Sequence, residues 1–188
     1  MNSSRLPGKV LMQVKDKPLL LHMYQRVIDA NEIDEVIIAT SGQKSDEGIV
    51  EFCKLNKIVY FCGSLDDVLD RYYHAAKIIN ASIVVRLTGD CPIIDPRVID
   101  SVVSIYKNEN YDFVANTAPP DGITYPEGMD VEVFSMSALE KAWIEAKKPS
   151  EREHVTFYFW KNPDKFKSFR TDLTYNHSNY RLTVDYLE

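Results

Sequence analysis

Short apolar runs alternate with helix-period segments along the first two thirds of this chain, and that alternation is its strongest constraint. The apolar runs lie at 35–40, which contains Val36-Ile37-Ile38-Ala39, at 57–61, at 82–87 through Ile83-Val84-Val85, and at 112–116. Between them the period is helical. In 18–31, Leu19, Leu20, Met23, Val27 and Ile28 share one side, and Pro18 suits a first turn. The segment 45–55 has Ser45 as a candidate N-cap, 64–80 turns Val68, Leu69, Tyr72, Ala75, Ala76 and Ile79 inward, and 95–108 is a further helix. Strands separated by helices imply right-handed crossovers and a parallel sheet. Such sheets bind ligands at the carboxyl ends of their strands. The informative loops therefore follow Thr40, Phe61, Leu87 and Asn116.

The rhythm changes after Asn116. Residues 117–128 hold three prolines and two glycines, an irregular excursion. A strand is expected at 130–135 and a helix at 137–146 packed by Leu139 and Trp143. Another helix starts at Pro149, with Ser150 and Glu153 in capping-box spacing. Late strands are expected at 166–171 and 180–184.

Size and charge narrow the function classes. The 188 residues suit a single domain over 1–188, and a net charge of -6 without long like-charge blocks argues against a general nucleic-acid binder. A small anionic ligand needs only one basic cluster. The three cysteines, Cys53, Cys62 and Cys91, form no CxxC pair and read as buried thiols of a cytoplasmic protein rather than a disulfide framework or a zinc site. Neither a signal peptide nor a membrane-spanning run is evident in the sequence.

One basic cluster stands out: Ser3-Ser4-Arg5-Leu6-Pro7-Gly8-Lys9. Hydroxyls, a glycine and two cations suit a loop wrapped on phosphate, although the same residues also suit a polar basic tail. The strand at 82–87 runs into Thr88-Gly89-Asp90-Cys91-Pro92, which puts a carboxylate over the sheet edge. Asp90 suits Mg²⁺, which takes few protein carboxylates and completes its shell with phosphate and water; a turn cap is the competing role. Arg181-Leu182-Thr183-Val184-Asp185 delivers a second aspartate from a short apolar stretch, and the two could clamp one ion. A solvated acidic segment is the alternative for Asp185. His154 beside Arg152 suits a helix cap or a surface ion pair better than catalysis.

In order, the motifs SSRLPGK, KPLL, VIIATS, GSLDDVLDRYYHA, VVRLTGDCPIID, GMDVEVF, SEREHVT and RLTVD resemble the cytidylyltransferase family of nucleotide-sugar synthetases, in the branch typed by the spore coat polysaccharide biosynthesis protein F. The resemblance covers essentially the whole chain. It implies a Rossmann-like three-layer α/β/α fold and transfer of a nucleotidyl group from CTP to a sugar, with pyrophosphate released and Mg²⁺ as cofactor. It implies that Ser3, Ser4, Arg5 and Lys9 form the triphosphate loop, with Arg5, Lys9 and Asp90 catalytic. Ser41, Gly63, Ser64 and Gly89 would lie on the nucleotide, and Asp90 and Asp185 would hold the metal. Asp130, Glu132, Arg152, Glu153 and His154 would lie towards the sugar. Segment 117–135 would be an extension or dimerisation arm of a homodimer.

The sequence departs from that family in three places. The family carries an apolar strand ahead of the phosphate loop, a closing helix after the final aspartate, and a glycine where this chain has Asp16. The expectation is therefore a sheet open along one central groove. A nucleotide-sugar-dependent glycosyltransferase is the rival enzyme reading, with Asp130-Val131-Glu132 as the nearest approach to a D-x-D metal motif. A truncated, inactive homologue is the non-enzymatic reading.

Overall fold

The computed structural model describes residues 6–186. Ser3, Ser4 and Arg5 of the expected phosphate loop lie outside the described residues. A single-turn 3₁₀ helix at Lys9–Leu11 leads into a hairpin of β1 (Gln13–Val14) and β2 (Lys17–Pro18), paired Val14 to Lys17. Lys15 and Asp16 sit at φ 49° and 62°. A two-residue hairpin loop of this hand needs left-handed backbone at both positions, which explains why glycine suits the place of Asp16.

Helix α1 (Leu19–Ile28) buries Leu19, Leu20, Met23 and Val27, whereas Ile28 is exposed, against expectation. Strand β3 (Ile37–Ser41) follows. Helix α2 (Glu47–Asn56) starts after Asp46 rather than at Ser45. The Asp46 carboxylate accepts hydrogen bonds from the Ser41 amide and from the Thr40 and Ser41 hydroxyls, which locks the end of β3 to the start of α2. Strand β4 (Val59–Gly63) runs parallel to β3 from Ile37–Val59 to Ser41–Gly63. Helix α3 (Val68–Ile78) begins at Asp67, whose side chain accepts from the Asp70 amide. It is followed by β5 (Ile83–Arg86), α4 (Pro96–Asn108) capped by Asp95, and β6 (Phe113–Ala115).

The remaining elements correct the all-parallel expectation. Strand β7 (Glu132–Ser135) inserts between β5 and β6 and is antiparallel to both. The 132–135 end of the expected arm is thus an interior strand of the sheet. Helix α5 (Met136–Glu145) is capped by the Ser135 hydroxyl. In α6 (Pro149–Glu153) the capping carboxylate is Glu151, which accepts from the Lys148 amide, so the Ser150–Glu153 spacing is not the cap. Helix α7 (Phe157–Trp160) is an element the sequence pattern did not separate from α6. Strand β8 (Ser168–Arg170) is parallel to β6 and gives the order β5-β7-β6-β8. No strand forms at 180–184; one bridge joins Arg181 to Glu127.

The layers are helix, sheet, helix. On one face of the four-stranded sheet Val84, Phe113 and Phe134 pack on Leu69, Tyr73, Leu139 and Phe159; on the other Val114, Val131 and Val133 pack on Met23, Ile99, Val102 and Val103. A third cluster, around Leu20, Ile49, Phe52 and Cys53, lies beneath β3 and β4. Among the described residues β3 pairs only with β4, and β5 pairs with β7. Their other edges line one cavity of about 590 Å³, walled by α1 and α3. This cavity forms a groove between the two sheets. At the carboxyl ends of the strands it is lined by Thr40, Leu87 and Gly89 together with Val10.

Candidate active site

Three segments converge at the carboxyl end of β5. The turn after β5 carries Asp90, with the Cys91 amide donating to the Thr88 carbonyl. The 3₁₀ turn after Gly8 (φ 75°) carries Lys9. The last described segment carries Asp185, and the Val184 amide donates to the Asp90 carbonyl at 3.0 Å. The 117–128 excursion brings that segment into place. The His177 amide donates to the Thr124 carbonyl, and the Leu182 amide to the Glu127 carbonyl. Gly128, at φ 98°, lets the two segments touch: a Cβ there would meet the Leu182 carbonyl carbon at 2.9 Å and the Thr183 nitrogen at 3.0 Å. Backbone at that range cannot yield as a side chain can, so glycine is required.

The result is a compact charge cluster. Lys9 Nζ donates to Asp90 Oδ2 at 3.0 Å and to Asp185 Oδ1 at 2.8 Å. Asp185 is buried, and its other oxygen accepts from Arg181 and from the Thr183 hydroxyl. The Lys9 bond, against the opposing effect of burial and with Arg181 and Thr183 adding to it, holds the Asp185 carboxyl well below the usual carboxylate range. Burial alone would raise Asp90, but hydrogen bonds from Lys9 and Thr88 and the Lys9 charge win and lower it. Burial likewise opposes the Lys9 ammonium, and its two carboxylate partners raise it. The cluster is ionised at neutral pH. The neighbouring Cys91 thiol is buried and pushed up to about 12, so it is protonated and no nucleophile.

The other expected residues divide. Ser41 and Gly63 are register partners at the ends of β3 and β4. Ser41 is buried and spends its hydroxyl on Asp46 at 2.7 Å. Ser64 is exposed; its hydroxyl accepts from the Asp67 amide, and its carbonyl accepts from Arg71 at 2.6 Å. Gly89 lines the groove mouth, where a Cβ would make ordinary contact with Val10 at 3.5 Å, so no close approach depends on it. Of the residues expected towards a sugar, Glu132 is buried: one oxygen pairs with Arg86 and the other accepts from the Thr156 hydroxyl at 2.7 Å. Asp130 accepts from the Gly128 amide at 2.8 Å. Arg152 is committed to structure, donating to both Asp67 oxygens and to the Trp143 carbonyl, which ties α6 to the start of α3. Glu153 and His154 are exposed, with the His154 ring against Phe157.

Sequence reasoning missed Arg86, Thr156 and Arg181. Arg86 closes an apolar strand, and a cation at that position needs a buried counter-charge; Glu132, its register partner, supplies it. Arg181 lies four residues before Asp185, within the same quoted motif.

A carboxylate-bearing strand end, a basic turn and a Rossmann-like α/β/α framework define a nucleotidyltransferase-type fold. The solved structure of a cytidylyltransferase from Leptospira borgpetersenii is similar to this chain with a TM-score of 0.90 and 37% identity, over 98% of this chain and 77% of that one. CMP:2-keto-3-deoxy-manno-octonic acid synthetase, solved with CTP, shares the fold at a TM-score of 0.66 and 18% identity, over 92% of this chain and 86% of that one. The chain belongs to the cytidylyltransferase family, whose model matches residues 1–186. Among sequence relatives, an uncharacterized protein of Methanocaldococcus jannaschii is 37% identical, over 97% of this chain and 74% of its own length. The spore coat polysaccharide biosynthesis protein SpsF of Bacillus subtilis is 29% identical, over 98% and 78%. No described helix is long and apolar enough to cross a membrane.

Proposed function

We propose that this chain is a sugar nucleotidyltransferase that joins the cytidylyl group of CTP to a sugar, with release of pyrophosphate, in the assembly of a cell-surface or spore-coat polysaccharide. The observation that carries this reading is the convergence of Lys9, Asp90 and Asp185 at one strand end in a cytidylyltransferase-family chain. An oxygen of the acceptor sugar attacks the α-phosphorus, the bond from that phosphorus to the pyrophosphate oxygen breaks, and pyrophosphate leaves. Such transfers rest on positioning and charge neutralisation rather than on a protein nucleophile, in keeping with the protonated Cys91.

The donor set fits Mg²⁺. Two carboxylates lie within 3.0 Å of one cationic nitrogen, and Mg²⁺ is bound by one or two carboxylates plus substrate phosphates. No larger cluster of metal-binding side chains occurs among the described residues. Asp90 and Asp185 would hold the ion, which when bound supplies charge to the α-phosphate region and lowers the pKa of an attacking oxygen. Lys9 places a cation against the phosphates, with Arg5 beside it in sequence. Ser41, Gly63 and Ser64 mark the strand ends over which base and ribose would lie, and the Glu132–Arg86 pair fixes the floor on the acceptor side.

The glycosyltransferase reading would ask Asp130-Val131-Glu132 to hold the metal. Glu132 already spends both oxygens on Arg86 and Thr156, which leaves that motif poorly suited. The test is a nucleotide panel assayed for pyrophosphate with Mg²⁺ and candidate sugars. CTP is expected to give the highest rate, and Asp90→Ala to lower it by about a hundredfold or more. Sugar transfer from a nucleotide-sugar without pyrophosphate would decide for the rival, and full activity in Asp90→Ala would remove the metal assignment.

A further inference from the structure

Lys9 stands where a divalent cation would have to bind. Its ammonium bridges Asp90 Oδ2 at 3.0 Å and Asp185 Oδ1 at 2.8 Å, and its side chain is only 11% exposed. Arg181 and Thr183 already occupy the second oxygen of Asp185. An ion bound at about 2.0–2.1 Å to the same two oxygens would lie within a few ångströms of the ammonium, and two cations that close repel strongly. The Lys9 stem is flexible and its charge is a point rather than a planar fork, so the ammonium can swing away without loss of fixed geometry.

We propose that Lys9 is a placeholder cation: it and the divalent ion are mutually exclusive on Asp90 and Asp185, and the incoming triphosphate draws Lys9 off the carboxylates as the metal takes its place. This rests on the nucleotidyltransferase reading of the site. The carboxylate pair stays neutralised in the resting protein, free metal is held weakly, and metal and nucleotide bind with positive, reciprocal coupling. The same side chain serves two anions in turn, aspartates before the substrate arrives and phosphates afterwards.

The test uses Mn²⁺ as the probe, titrated by electron paramagnetic resonance into the whole chain with and without a non-hydrolysable CTP analogue. Without nucleotide, Lys9→Met is expected to bind Mn²⁺ about tenfold tighter than wild type, and Lys9→Arg to stay weak. The analogue is expected to raise wild-type Mn²⁺ affinity and to bind Lys9→Met poorly. Equal or weaker nucleotide-free Mn²⁺ binding in a Lys9→Met protein that melts cooperatively overturns the proposal. A second readout needs no variant: amine labelling of Lys9, followed by mass spectrometry, is expected to rise when Mn²⁺ alone is brought to saturation. Unchanged labelling at saturation also overturns it. If wild type takes up no Mn²⁺ even with the analogue present, the nucleotidyltransferase reading itself falls.

Discussion

The two sheets that face each other across the groove are built from similar apolar runs and end up differently buried. In the four-stranded sheet Phe113, Val114, Val133 and Phe134 are fully buried, because β6 and β7, which carry them, each have strand partners on both sides and helices above and below. In the β3–β4 pair Ile37, Ile38 and Ala39 are only half-buried, and so are Ile83 and Val85 of β5, the other strand that borders the groove, although both runs are strongly apolar. Among the described residues β3 has a strand partner on one side only, and β4 is an edge with Val59 exposed. An apolar run marks a strand; the number of neighbours in the plane of the sheet sets how dry it becomes.

The largest test of that contrast is a pair of truncations followed by urea unfolding. Phe134→Ala is expected to cost about 3–5 kcal/mol and Ile38→Ala about 1–2 kcal/mol, because Ile38 has less contact to lose. Equal losses would show that the two sheets are equally packed. Next comes the buried pair on the well-packed side. Glu132→Gln leaves Arg86 without its counter-charge and is expected to cost about 3 kcal/mol, the lower end for a broken buried pair since the Arg86 side chain keeps 19% exposure.

Gly128→Ala probes how that side holds the site. The strain of a side chain at φ 98° against the Leu182 and Thr183 backbone is expected to cost about 1–3 kcal/mol, with a fall in pyrophosphate release as Asp185 is moved. Retention of both stability and rate would detach the excursion from the site.

Acid compares one carboxylate from each side. Asp46 and Asp185 are both held below their unfolded value near 3.9. Their stabilisation is therefore complete above about pH 4 and is lost as pH falls through the folded values. Melting temperature scanned between pH 6 and 2 is expected to fall less steeply in Asp46→Asn and in Asp185→Asn than in wild type. The smallest effect is a thiol count in the native protein. Cys62, exposed on the edge strand β4 against the expectation of three buried thiols, is expected to react with a disulfide reagent at once, whereas buried Cys53 and Cys91, raised to about 11 and about 12, react only on unfolding.

Much of this was legible beforehand. Pro18 marks a helix start by its own chemistry, and the 3.6-residue apolar period of α1, α3 and α4 shows in the chain. The aspartates at 90 and 185 stand out because each follows an apolar run. What could not be read was partnership. Nothing local to Glu132–Ser135 says that it will lie antiparallel between β5 and β6, and nothing local to Arg152 says that its guanidinium will close on Asp67, 85 residues away.

The sequence alone determined most of the longer elements, their α/β class and the ordered motifs of a cytidylyltransferase-family chain, since propensity, period and capping act over a few residues. Only the tertiary structure decided that Lys9, Asp90 and Asp185 meet in one cluster, that Glu132 is sealed by Arg86, and that the groove lies between β3 and β5. Those outcomes depend on charge neutralisation and strand pairing between segments far apart in the chain, and such energies exist only once the segments touch.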